Sequence, residues 1–330
     1  MWKGFSHLLK KDVKMMLSGK FFLLALLSLI LYSCYINFIY VNVDQENCRV
    51  YLYDPNNLCS AQSKYINRAH SRQELKTACS DRFSIGIDFS ADPPEIYMLS
   101  SGAEKTDRYR AMWGEAVLTE LTEEKPEIVG SYVKEERSRR EITAEFLFFE
   151  LSAVGFLGLA SVLFKEKQMG VIRVHGILPV SKAAFILSKL CVFLWSDLIF
   201  TCLLTWINVG ISDSLAILPA VLTQAGILSL IMSLTGFFCA VLLSDFKQFS
   251  LFYLILAVFA STPVFLAGQT GVSWKWLAWH PMHHLFTAMK SAYFGKTAAS
   301  FPYYLVCIAA IAILFYGACH ILAREAAKEG

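Results

Sequence analysis

Two carboxylates stand inside long apolar runs, where an acid is costly to keep. Glu150 lies about a third of the way into the run 144–164, and Asp197 near the middle of 186–208. An ionised side chain in hydrocarbon faces a cavity or finds a partner. Each acid therefore reads two ways: as part of a translocation path, or as a polar or protonated clasp between helices. His280, His283 and His284 fall at helical spacing, as zinc ligands can. No Cys or carboxylate stands near them in sequence, so interfacial histidines are the plainer reading and no metal is expected. Gly295-Lys296-Thr297 looks like the end of a phosphate-binding loop, but Lys290 occupies the place of the leading glycine. No other stretch carries that pattern, so the chain alone is not expected to hydrolyse ATP. His70 has no Ser or Cys partner, and no catalytic residue is assigned.

Six cysteines, Cys34, Cys191, Cys202, Cys239, Cys307 and Cys319, sit in apolar runs and read as small buried hydrophobes. Cys48, Cys59 and Cys79 lie in a polar segment, and three thiols cannot all pair within one chain. A Cys48–Cys59 bridge across the turn Asp54-Pro55-Asn56-Asn57 is the first candidate, with free thiols as the alternative.

The basic stretch 165–189, KEKQMGVIRVHGILPVSKAAFILSK, has a different character. It joins two apolar runs, yet it carries Glu166, Gly170 nine residues ahead of Pro179, and Ser181 two past that proline. Proline lacks an N–H and disfavours helix at the residue before it, so Pro179 stops a helix. Ser181 then caps the helix that follows. The pattern predicts a short, separately terminated helix lying against a cytoplasmic partner.

These residues need a scaffold, and composition names its class. The chain is 55% hydrophobic with a mean hydropathy of +0.47, which points to membrane. A net charge of +3 argues against a nucleic-acid binder. Six runs near 21–41, 144–164, 186–208, 217–243, 249–268 and 301–323 are long enough to cross a core that needs about 20 helical residues. With the N-terminus inside, the inner segments 1–20, 165–185, 244–248 and 324–330 hold 12 Lys and Arg, and the short outer segments 209–216 and 269–300 hold three. Both termini are therefore expected inside, with the polar segment 42–143 outside. The first run lacks a cleavage site and exceeds a signal-peptide core. The expected fold is a mainly α membrane protein of six transmembrane helices, with a small α/β extracytoplasmic domain between the first and second spans.

Residues 1–20 predict an interfacial amphipathic helix, with Trp2, Phe5, Leu8 or Leu9 and Met15 or Met16 toward the membrane. In 42–143 the expected order is strand 49–54, helix 60–79, strand 84–89, strand 95–99 and helix 103–124. The five-span bundle 144–323 includes Ser229, Ser233, Gly236 and Ala240, a small-residue face for close helix approach. Pro263 predicts a kink in the fifth span. The aromatic segment 269–300, with Trp274, Trp276 and Trp279, predicts short helices dipping into the outer leaflet. Residues 324–330 form a cytoplasmic tail.

With that topology and that loop, the chain resembles the membrane (permease) subunits of type-2 ABC exporters. The family loop often reads Glu-Arg/Lys-x-x-Gly-Thr-x-Glu-x-Leu, then Pro and Ser. Glu166, Lys167, Gly170, Pro179 and Ser181 fit it, whereas Val171, Arg173 and His175 replace the Thr, the second Glu and the Leu. The resemblance covers nearly the whole chain and is weakest over 42–143. It implies a cell-membrane permease of bacterial type that dimerises with a second permease subunit, identical or different. It also implies docking of two copies of a separate ABC ATPase, which binds the ATP and Mg. Glu166, Gly170, Arg173, Pro179 and Ser181 would form the ATPase-coupling element, and the cargo would be an amphipathic or hydrophobic drug, antibiotic or peptide. Two other readings remain: a membrane-anchored receptor or scaffold with a ligand-binding outer domain, and an intramembrane enzyme using Glu150, Asp197 and the histidines.

Overall fold

The computed structural model describes residues 2–19, 21–40, 49–56, 66–80, 84–91, 93–100, 104–122, 134–171, 181–243, 245–267, 279–295 and 300–328. It contains two compact units, Met1–Asn42 with Tyr132–Gly330, and Val43–Ser131.

The larger unit is helical. Its apolar runs have no polar neighbours to take their backbone N–H and C=O groups, so the helix satisfies them internally. Helix α1 (Trp2–Ser18) precedes α2 (Phe21–Cys34), which continues as a π-helical turn, Tyr35–Tyr40. Helix α5 (Lys134–Phe149) runs through a second π-helical turn, Glu150–Val154, into α6 (Gly155–Gln168). Then follow α7 (Lys182–Val209), the short α8 (Ile211–Leu215), α9 (Leu218–Leu242), α10 (Phe246–Ala267), α11 (Pro281–Tyr293) and α12 (Phe301–Lys328). Among the described residues six helices are long and apolar enough to cross a membrane: Phe21–Tyr40, Arg139–Gln168, Lys182–Val209, Leu218–Leu242, Phe246–Val264 and Phe301–Glu325. They are called spans 1 to 6 below, and the chain has the make-up of a multi-pass membrane protein.

Span 4 is the axis of this bundle and packs against α6, α7, α11 and α12. Its small face is buried: Ser229, Ser233, Gly236 and Ala240 all point inward. A Cβ on Gly236 would stand 2.9 Å from the Phe156 carbonyl oxygen, so only glycine lets spans 2 and 4 approach this closely. The same holds where spans 1, 2 and 3 meet. A Cβ on Gly158 would sit 2.1 Å from the Phe21 ring, which packs edge-on against Phe193 at 5.3 Å. In their most apolar stretches spans 2, 3 and 4 bury 69%, 50% and 61% of residues, while spans 1, 5 and 6 bury 17%, 22% and 17%.

The smaller unit is an α/β layer. Its sheet has the order β2 (Ile66–Arg68), β1 (Arg49–Tyr53), β3 (Ser84–Asp88), β4 (Glu95–Tyr97). Strand β1 is parallel to both β2 and β3, and β4 is antiparallel to β3. Val50 and Leu52 face Val117 of α4 (Glu104–Thr122). Tyr51 and Tyr53 face the other side, with Leu75 of α3 (Arg72–Ala78) and Cys79 just after it. That alternation is the period-two pattern of a strand covered on both faces. Residues 66–68, expected to be helical, form β2 instead, because parallel pairing with Val50–Leu52 outweighs local preference. Helix α3 starts only after Ser71, whose hydroxyl accepts from the Glu74 N–H while the Glu74 carboxylate accepts from the His70 N–H.

Candidate functional site

Three layers of polar side chains cross the helical unit, and together they carry most of the residues singled out from the sequence. The first lies at the α1 end. Span 2 terminates at Gln168, and Gly170 adopts φ +70, a left-handed end that favours glycine. Ser181 then caps span 3, its hydroxyl accepting from the Ala184 N–H at 3.2 Å, as the sequence predicts. Arg173 and Pro179 lie outside the described residues, as do Cys48 and Cys59.

Glu166 does not face outward at this end. It is fully buried and forms ion pairs with Lys11 of α1 at 2.6 Å and Lys189 of span 3 at 2.8 Å. Lys189 also pairs with Asp12 at 2.9 Å, and the Ser188 hydroxyl donates to Asp12 at 2.6 Å. Two acids and two bases thus form a quartet linked in the order Lys11, Glu166, Lys189, Asp12, in which each charge meets an opposite one, the condition under which buried ions persist. The quartet fixes α1 to spans 2 and 3. The α1 stripe Leu8, Asp12 and Met16 is buried against the bundle, with Val13 and Leu17 left exposed. Next to it, Lys167 donates to the Val241 and Leu243 carbonyls, each at 3.2 Å, and lies 3.8 Å from Glu325. A cation there complements the C-terminal end of span 4.

The second layer lies deeper. Glu150 opens the π-helical turn of span 2, shares a hydrogen bond of 2.9 Å with the Ser28 hydroxyl and accepts from Tyr32 at 2.8 Å, both in span 1. Tyr253 of span 5 donates to the Ala153 carbonyl in the same turn at 3.1 Å. Asp197 of span 3 accepts from the Ser229 hydroxyl of span 4. Each acid is therefore clasped by a neutral hydroxyl from a neighbouring helix.

The third layer binds α11 to the other end of the bundle. Arg140 donates to the Tyr293 carbonyl at 3.1 Å, Tyr293 and Thr205 share a hydrogen bond of 2.8 Å, and Lys290 pairs with Glu141. Arg139 donates to Asn37, which donates to Asn208 at 3.0 Å. The histidines do not gather round a common centre, and no metal-holding cluster exists among the described residues. His280 is buried, and its ring lies 4.2 Å from that of Phe259. Pro263 has no N–H to offer the Phe259 carbonyl four residues back in its helix. Burial pushes the His280 pKa below its ordinary value and His283 adds to this, while the Phe259 carbonyl opposes both.

In the smaller unit Asp88, at the carboxyl end of β3, pairs with Arg72 at 2.7 Å and accepts from the Ser90 N–H and hydroxyl. Burial alone would raise its pKa. The Ser90 hydrogen bonds and the Arg72 charge outweigh that and hold it below the usual carboxylate range. Arg72 also donates to Tyr97 at 3.0 Å. This network is satisfied within itself and has the character of a structural tie.

The sequence reading missed Lys11, Asp12, Ser188 and Lys189. The available signal was an acid among the lysines of α1 and a lone lysine just inside span 3. No family model, no curated protein and no solved structure matches the chain.

Proposed function

We propose that the chain is the permease subunit of an ABC transporter, moving an amphipathic or hydrophobic compound with ATP hydrolysed by a separate ATPase. The smaller unit would lie outside the cytoplasm and both termini inside, following the lysine and arginine bias of the short loops. The observation that carries the reading is the α1 end. The segment between Gly170 and Ser181 joins two spans that the quartet of Lys11, Asp12, Glu166 and Lys189 binds into one body with α1. A push on that segment is therefore delivered to α1 and spans 2 and 3 together. Such a body can take two discrete positions, and ATP binding in a partner can favour one of them. In this reading Glu166 acts from within, holding the helices that flank the docking segment, and Arg173 and Pro179 belong to the segment itself.

The test is co-purification from the native membrane with a Walker-containing ATPase. Gly170→Pro, or deletion of 168–176, is expected to abolish that association while the chain still inserts in the membrane. Nucleotide-stimulated transport retained in either variant overturns the proposal.

A further inference from the structure

Glu150 has chemistry that a simple clasp between helices does not use. The residue is 5% exposed, and among the described residues neither it nor Asp197 forms an ion pair with a lysine, arginine or histidine. Its polar contacts are the hydroxyls of Ser28 and Tyr32. The groups facing it that carry or could take a charge are Tyr32 of span 1, Tyr253 of span 5 and Asp197 of span 3. Span 4 contributes neutral Ser229, on Asp197. Among the described residues a carboxylate anion here would have no cation to balance it, in surroundings of low dielectric.

Hydrogen counting points the same way. A serine hydroxyl has one hydrogen to donate. Ser28 Oγ lies 3.0 Å from the Ala25 carbonyl of its own helix and 2.9 Å from Glu150 Oε1. With Glu150 ionised, one hydrogen serves two acceptors. With Glu150 as the acid, its O–H donates to Ser28, Ser28 donates to Ala25, and Tyr32 donates to the second carboxyl oxygen. Every contact is then satisfied.

We propose that Glu150 is a proton-binding site inside span 2, occupied as a carboxylic acid that donates to Ser28. Release of the proton to water leaves an anion without a counter-charge at the head of the π-helical turn, so proton occupancy and the conformation of that turn are linked. The turn is held from the far side by Tyr253 on the Ala153 carbonyl, and Phe156 just beyond it stacks on Tyr253 at 5.7 Å. The site therefore connects span 1 to span 5 through span 2. The inference stands on its own and does not depend on an ATPase partner.

Infrared spectroscopy of the full chain in lipid vesicles tests it. At neutral pH the difference between wild type and Glu150→Gln is expected to show the loss of one carboxylic-acid carbonyl band, with Asp197→Asn separating the second acid. Loss of carboxylate bands with no acid band overturns the proposal. So does a sodium or potassium requirement for the wild-type unfolding midpoint that Glu150→Gln abolishes, which would indicate a metal cation in place of the proton. Should Glu150→Gln fail to fold, Ser28→Ala keeps the question open to measurement. Removing the acceptor is expected to shift the acid band, and an unmoved spectrum refutes the assignment.

Discussion

Lys189 is an ammonium group with 1% of its side chain exposed, and it survives there because two carboxylates flank it. Its charge also lies 4.4 Å from the centre of the Phe185 ring. Lys189→Met leaves Asp12 with no cation and Glu166 with only Lys11. Breaking a buried pair in this way costs roughly 3–5 kcal/mol. Thermal unfolding in detergent should show a large fall in midpoint for the single variant, partly recovered when Glu166→Gln is added. His280 gives a second prediction, in pH. Its folded pKa is lowered, so the unfolded chain binds the proton first as the medium is acidified. Stability is complete above the ordinary value of 6.5 and is lost as pH falls through the folded value. His280→Gln should flatten that acid limb. At this scale the sequence was partly legible. Ser181 could be placed because a capping residue acts on its near neighbours. The quartet could not, because Asp12 and Lys189 are 177 residues apart and a lone lysine near a span end looks like one reaching for the surface.

At the level of helices, glycines decide which spans touch. The position that Gly158 leaves open is filled by the Phe21 ring, so a leucine there must drive spans 1 and 2 apart. Overpacking of this kind costs about 1–3 kcal/mol, or more when the backbone must move. Gly158→Leu should lower the unfolding midpoint, and Phe21→Ala should rescue it in part. Span existence was readable throughout, since about 20 apolar residues in succession leave the backbone little choice. The π-helical turns were not readable, because one added residue per turn leaves no mark in composition. Strand β2 was hidden for a related reason. Three residues, Ile66–Arg68, owe their conformation to a partner strand rather than to themselves.

Across the whole chain, the two compact units have separate cores. A protein so divided is not expected to unfold in one step. Asp88→Asn removes the carboxylate that holds Arg72 and Ser90 beside β3, so it should loosen 43–131 alone. Hydrogen exchange should rise there while spans 2, 3 and 4 keep wild-type protection; an equal rise in those spans would refute the separation. The α/β character of this segment was legible from alternation such as Val50-Tyr51-Leu52-Tyr53. Its strand order was not, because that depends on which strand finds which neighbour.

The four ions of the quartet sum to zero, Lys11 and Lys189 against Asp12 and Glu166. A unit charge carried across a membrane does about 2.3 kcal/mol of electrical work per 100 mV. A neutral group does almost none, so the quartet itself would add nothing to the voltage dependence of a displacement of these helices, which would rest on other lysines such as Lys3, Lys10 and Lys14. Replacing Asp12 by Asn would add one positive charge to those helices, and in the proposed transporter their displacement would become more sensitive to the membrane potential.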